Sequence, residues 1–326
     1  MFGTWGQSAG NLKAKKFKGP KESSETNTLK SFIHLRDFIK SCHKNIIAMK
    51  LNKKWIVGFT DGDGHFGCWI SKDNKPAIRF NYSINQHQRD IKVLYAFKEY
   101  FQCGRISKPY YTDQGKNGPY YRYEISNRKL LQEKIIPFFK ENTLYTRKQH
   151  SFEIWCNLIQ QVDQGLHLLP DHVENLRIQK SVMNNGQMPG CRKNLIDPQW
   201  IAGFVDAEGM FAIGNETSNY ALTFGLTQSE IDQDLLQELQ KYFNLGNIKK
   251  SRNTYVYTVT SLKHIINKII PFFEKNKLCT SKNFNFLKFR QVALLKDKKL
   301  HLTVHGRKRI NNIVEKFKDH NRVRSI

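Results

Sequence analysis

The sequence predicts an α+β protein of two pseudo-symmetric α-β-β-α-β-β-α domains, each with an antiparallel sheet, paired through one matching helix apiece. Three observations carry this. The run Trp55-Ile56-Val57-Gly58-Phe59-Thr60-Asp61-Gly62-Asp63-Gly64-His65-Phe66 returns as Trp200-Ile201-Ala202-Gly203-Phe204-Val205-Asp206-Ala207-Glu208-Gly209-Met210-Phe211. Downstream the correspondence continues at an offset that only shrinks: 145 residues from Asp61 to Asp206, 142 from Gln86 to Gln228, and 134 from Lys148 to Lys282. Finally, the apolar period switches between that of a helix and that of a strand at the same points of both copies.

The elements follow in order. Residues 1–50 begin polar, rich in Lys, Gly and Ser, and are expected to form a basic, flexible extension without a secretory apolar core. Residues 31–49 could form a helix. The first domain is expected at 51–185, a linker rich in Gly, Pro and Asn at 186–197, and the second domain at 198–320. Residues 53–61 read as a helix ended by Gly62 and Gly64, the glycine signal of a helix terminus. Residues 78–85 alternate apolar with polar, so Phe80, Tyr82 and Ile84 face a core while Arg79, Asn81, Ser83 and Asn85 face away. The second copy buries Leu222, Phe224 and Leu226 in the same way. Helices are expected at 89–101 and 230–243. Second hairpins are expected at 105–111 with 120–126 and at 247–251 with 255–260. Further helices are expected at 129–139 and 146–161. Four antiparallel strands covered by helices on one face leave the other face free for a ligand.

Composition says what that ligand is. With 53 Lys and Arg against 28 Asp and Glu the net charge is +25, which attracts polyanions, nucleic acid first. No apolar stretch reaches the ~18 residues of a membrane-spanning helix. The six cysteines are scattered without a C-x-x-C pair, which argues against a zinc finger or a disulfide framework and for reduced thiols inside a cell. The eleven histidines form no repeated cluster.

Chemistry concentrates at the repeated motif. Gly58 and Gly203 would let two helices meet backbone to backbone. Asp63 and Glu208 then fall at two neighbouring carboxyl ends, where the helix dipole disfavours an anion by about 0.3–1 kcal/mol. A divalent cation, for which oxygen ligands suit Mg2+, relieves the conflict, and the backbone carbonyls of Gly62 and Ala207 could add to its shell. A solvated helix end is the plain alternative for either acid alone; two acids at equivalent places in a basic chain favour the metal.

These stretches resemble the LAGLIDADG motif, and residues 51–318 resemble a single-chain LAGLIDADG homing endonuclease. The resemblance implies a saddle of two antiparallel sheets on the major groove of double-stranded DNA. It implies Mg2+-dependent cleavage of both strands across the minor groove with short 3′ overhangs, in the service of intron homing. It places the metal on Asp63 and Glu208, and leaves Asp61 and Asp206 to structural roles. Gln86 and Gln228 match the position of a residue that orients water. Lys148 and Lys282 match a lysine near the scissile phosphates, with Arg147 as the alternative if the register slips by one. Base contacts are expected from Gly67, Trp69, Ser71, Arg79, Asn81, Ser83, Arg105, Ser107 and Arg122 in the first half. In the second half they are expected from Ala212, Asn215, Thr223, Thr227, Lys249, Ser251 and Arg252. The two faces differ, so the target is expected to be long and asymmetric. A monomer is expected, because one chain holds both copies. An intron-encoded maturase acting on host intron RNA is the alternative function. The family association implies an organelle, mitochondrion or chloroplast.

Overall fold

In a computed structural model of the chain, the described residues are 49–73, 76–112, 118–185, 196–214 and 219–321. Residues 1–48 of the expected extension and most of the linker, with Asn215, lie outside them. Both repeats fall within one compact unit, Ile46–Ile326.

Each repeat opens on a capped helix. Asn52 accepts a hydrogen bond from Lys54 N at 2.8 Å and starts α1, Lys53–Asp63. Strands β1 (Gly64–Ile70) and β2 (Ile78–His87), helix α2 (Ile91–Phe101), short strands β3 (Arg105–Ile106) and β4 (Tyr110–Tyr111), and strand β5 (Pro119–Ile125) follow. A helix at residues 128–141 (α3) and another at Lys148–Asp163 (α4) complete the unit, and α5 (Pro170–Asn185) extends it. In the second copy Asp197 accepts from Gln199 N at 2.7 Å, and Pro198 supplies a preset first turn to α6, Pro198–Glu208. Then come β6 (Gly209–Ile213), β7 (Leu222–Ser229), α7 (Gln233–Phe243), β8 (Asn247–Ser251), β9 (Thr254–Val259), α8 (residues 262–275), α9 (Lys282–Asp297) and α10 (Val304–Asn321). The sheets are antiparallel, in the orders β1-β2-β5-β3 with β4 also on β5, and β6-β7-β9-β8.

The helical face of each sheet holds an aromatic core. Phe66 packs among Tyr82, Phe139, Phe152 and Trp155, and its counterpart Phe211 among Phe224, Phe273, Phe286 and Phe289. Among the described residues, no helix is long and apolar enough to cross a membrane, and Cys68, Cys103, Cys156 and Cys279 are free thiols.

Four expectations need correction. The motif helix does not end at Asp61; it runs on through Gly62 to Asp63. Gly62 lies inside it, where a Cβ would stand 2.2 Å from Ala207 Cβ, and Gly64 has φ −74°, so neither is a left-handed terminator. The strand expected at 105–111 breaks in two around Pro109, which offers no N–H to a ladder. The helix expected at 129–139 contains a π turn, Leu131–Ile135, in which Ile136 N donates to Leu131 O. Pro137 cannot donate and its ring clashes with the carbonyl four residues back, so the turn widens; Pro271 imposes the same turn on Ile265–Ile269. Lastly, α5 and α10 were not expected. The sequence signals were Pro170 at the first position of α5 and the spacing of Gly306, Ile310, Val314 and Phe317 in α10.

Candidate active site and nucleic-acid interface

Helices α1 and α6 meet at their glycines. A Cβ on Gly58 would stand 2.0 Å from Trp200 O, and one on Gly203 2.1 Å from Trp55 O, so only glycine permits this approach. Each half also completes the other's hydrogen bonds: Trp55 Nε1 donates to Asp206 Oδ2 at 2.8 Å and Trp200 Nε1 to Asp61 Oδ2 at 2.7 Å. Asp61 further accepts from Tyr145 N at 2.9 Å, Thr146 N at 3.0 Å and Thr146 Oγ1 at 2.7 Å. Asp206 accepts from Cys279 N at 2.7 Å, Thr280 N at 3.0 Å and Thr280 Oγ1 at 2.5 Å. These two acids are fully engaged. They tie each motif helix to the turn that precedes α4 or α9.

Those turns deliver the lysines. Lys148 Nζ donates to Thr60 O at 3.1 Å and to Gly62 O; Lys282 Nζ donates to Val205 O at 3.2 Å and to Ala207 O at 2.5 Å. An ammonium therefore sits against the negative end of each motif dipole. Arg147 turns elsewhere, its N–H donating to Asp232 Oδ1 at 2.8 Å, so Lys148 is the residue aimed at the motif.

The remaining acids face this positive pair. Asp63 Oδ2 accepts from Gln86 Nε2 at 2.6 Å, and Glu208 Cγ comes within 3.1 Å of where a Cβ on Gly62 would lie. Burial pushes the Asp63 carboxyl up from its ordinary value, against the charges of Lys282 and Lys148 and the bond from Gln86. Glu208 is exposed as a residue, yet desolvation by the protein around its carboxyl, and then the charge of Asp63, push it up as well. Burial lowers both lysines, opposed first by Asp63 and then by Glu208. Gln228 holds the register of Gln86: Gln86 pairs across to Tyr121, two residues before the buried Tyr123, and Gln228 to Tyr255, two residues before the buried Tyr257. Among the described residues no hydrogen bond joins Gln228 to Glu208.

The donor set fits a hard divalent cation. Two carboxylates and two carbonyls are all oxygen, and a carbonyl that accepts one ammonium proton keeps a second lone pair. Among the described residues no group of three His, Cys, Asp or Glu offers a rival metal site.

The helix-free faces carry the other expected residues. In the first sheet, Gly67, Trp69, Arg79, Asn81, Arg105 and Arg122 stand on that face, and the Arg79 guanidinium lies 5.3 Å from the Trp69 ring centre. Gly67 leaves room for Asn81, whose Oδ1 would lie 2.0 Å from a Cβ there. Arg105 is bound to Glu124 at 2.8 Å, Asn81 Nδ2 donates to Glu124 Oε1 at 3.3 Å, and Arg122 Nε donates to Asn85 Oδ1 at 2.8 Å. In the second sheet Ala212, Thr223, Thr227, Lys249 and Ser251 occupy the corresponding rows. Arg252 lies in the β8–β9 turn with φ 54°.

Three serines are placed otherwise than expected. Ser71 is buried past the end of β1, where its hydroxyl accepts from Ala77 N at 2.9 Å. Ser83 is buried between His65 and Glu124. Ser107 spends its hydroxyl on the backbone, accepting from Arg122 N at 3.0 Å and donating to Lys108 O at 2.8 Å. Short hydroxyls lose to neighbouring backbone at strand ends. Conversely Glu124, Asn85, Asn247 and Thr258 stand on the same faces and were not named as candidates; their registers two residues from Arg122, Ser83, Lys249 and Val256 were the available signal.

Comparison with known proteins accords with this geometry. A family model described as LAGLIDADG endonuclease matches residues 56–159 and 201–293. "Probable intron-encoded endonuclease 2" of Neurospora crassa is 27% identical over 306 residues, 84% of this chain and 66% of that protein. "Uncharacterized mitochondrial protein RF1" of Saccharomyces cerevisiae is 26% identical over 218 residues, 66% of this chain and 43% of that protein. The chain thus spans just under two thirds of the length of the first relative and under half of the second. Among solved structures, that of I-SmaMI bound to uncleaved DNA target in the presence of calcium ions matches with a TM-score of 0.73 at 28% identity, over 81% of this chain and 98% of that one.

Proposed function

The chain belongs to the LAGLIDADG endonuclease family, and from that premise we propose that it cuts both strands of a long, asymmetric DNA site using Mg2+. The observation that carries the proposal is the meeting of Asp63 and Glu208 beside two lysine ammoniums at the joined ends of α1 and α6.

The residues divide the work. Asp63 and Glu208, with the Gly62 and Ala207 carbonyls, would hold the cation. A bound Mg2+ would neutralise phosphate charge and make an attacking hydroxide accessible near neutral pH. Gln86 fixes one oxygen of Asp63 through its amide and so orients the carboxylate. Lys148 and Lys282 place fixed positive charge where the scissile phosphates gain charge in the transition state. Trp69, Arg79, Asn81, Arg105 and Arg122 on one sheet and Thr223, Thr227, Lys249 and Ser251 on the other meet base edges in the major groove. The remaining surface lysines and arginines bind phosphate and make affinity fall steeply with salt. We further propose that the two repeats act as two domains of a monomer, and that the gene lies in an organellar intron, as the names of the relatives suggest.

The test uses DNA from the site at which the gene is inserted. The protein with Mg2+ is expected to linearise a plasmid carrying that site, while Asp63→Asn and Glu208→Gln bind it and leave it intact. Cutting that persists in both variants would refute the assignment. Splicing of the host intron by the double variant would show that the chain acts as a maturase.

A further inference from the structure

Two acids that the cleavage chemistry does not use bridge the halves. Asp90 ends the short turn Gln88–Asp90 and Asp232 ends its counterpart Glu230–Asp232; each is 5% exposed. Asp90 Oδ1 accepts from Ser281 N at 2.5 Å and Oδ2 from Ser281 Oγ at 2.7 Å. Asp232 Oδ1 accepts from Arg147 N at 2.8 Å, and its Oδ2 lies 3.9 Å from Arg147 Nε.

The acceptors land where α9 and α4 begin. Ser281 and Arg147 hold the N-cap positions, and neither caps its helix with its own side chain. A helix start leaves N–H groups unpaired, and a buried one left so is costly. Here the missing acceptor comes from the opposite half of the molecule. The very next residues are Lys282 and Lys148. Each lysine-bearing turn is therefore clamped twice, by Asp206 or Asp61 of its own half and by Asp90 or Asp232 of the other.

We propose that Asp90 and Asp232 are positioning residues for cleavage: each sets, from the opposite half, the backbone from which Lys282 or Lys148 reaches the motif. Neither acid touches the reacting atoms. Because the clamps cross, a lysine is fully placed only when the two halves are docked, and the two clamps are independent. The inference rests on the proposed role of the lysines in cutting DNA.

The experiment follows each strand separately. A duplex carrying the insertion site, labelled on one strand or the other, is cut by the full chain in Mg2+, and binding is measured in Ca2+. Asp232→Ala is expected to slow cutting of one strand and Asp90→Ala the other, by between about tenfold and about a hundredfold. Binding should hold at the wild-type level. Asp232→Asn and Asp90→Asn keep an acceptor oxygen and should recover most of the lost rate. Alanine variants that bind normally and cut both strands at the wild-type rate would overturn the proposal, as would equal loss on both strands. Should an alanine variant fail to fold, Ser281→Ala removes only the hydroxyl bond and should slow the strand served by Asp90; equal slowing of both strands would overturn the proposal there too. A wild-type chain that cuts neither strand would instead defeat the endonuclease reading itself.

Discussion

The helix pair and the sheet faces of this molecule differ in how closely their two halves match. At the pair the two halves agree within 0.1 Å: 2.0 and 2.1 Å from a Cβ placed on each glycine to the facing carbonyl, 2.8 and 2.7 Å for the crossed tryptophan bonds. On the sheets they part. One face carries Arg105, Glu124 and Asn81 in a bonded cluster, with Arg122 on Asn85; the other presents Ala212, Thr223 and Gly225 across from Met210. Where each half must match the other in contact, almost any change clashes. On the proposed reading each sheet face meets its own stretch of DNA, so the two faces need not match.

The comparison can be broken hardest at its rigid end. Gly58→Ala would drive a methyl into Trp200 O, and the helices must separate or the fold must strain. Overpacking of this kind costs about 1–3 kcal/mol or more, here against backbone that cannot swing aside. The variant is expected to melt well below the wild type by circular dichroism and to lose all cutting. Gly203→Ala should match it, and a clear difference between the two would show that the pair is less symmetric than its distances.

Next in size is the cost of burying the two acids. Because burial raises Asp63 and Glu208, the metal-free folded chain holds their protons more tightly than the unfolded chain does. Their contribution is then most favourable below the ordinary carboxylate range and is lost as pH rises from that range through the raised folded values. Metal-free Asp63→Asn is therefore expected to melt above the wild type at neutral pH, with the gap closing as pH falls toward the ordinary carboxylate range. Adding Mg2+ should raise the wild type and leave the variant where it was. A variant less stable than the wild type at neutral pH would contradict the burial argument.

On the variable faces the effects are smaller and one-sided. Glu124→Gln removes the charge that holds Arg105 and is expected to alter base preference at one or two positions of one half-site only, by about 1–3 kcal/mol, read by cutting a library of single-base variants. Changes in both half-sites would sink the idea of separate reading. Smallest of all, Glu141→Ala breaks an exposed pair with Lys53 at 3.2 Å and should shift stability by less than about 1 kcal/mol in a denaturant melt.

Much of this was legible in the amino acids because duplication printed it twice. The motif helices, the four-strand sheets and the shared place of Lys148 and Lys282 needed only the repeat and the period of apolar residues. The alternation of β2 told which face Asn81 and Ser83 take, yet not that Glu124 from β5 would occupy Asn81 or that Ser83 would be covered, since those are cross-strand contacts. Ser107 illustrates the same limit: a hydroxyl beside Pro109 answers to local backbone before any ligand. Hardest to foresee were the bonds between Asp90 and Ser281, 191 residues apart, which arise only from docking. The widened turns at Pro137 and Pro271 could have been foreseen from proline alone.

The crossed tryptophan bonds also bear on how the chain is made. When α1 leaves the ribosome, the acceptor for Trp55 and the backbone that fills the notch at Gly58 belong to α6, still roughly 135 residues from synthesis. At about 5–20 residues per second that is an interval of roughly seven to twenty-seven seconds. Throughout it, the Trp55 indole N–H and the face of α1 at Gly58 have yet to meet the partners that the finished chain gives them.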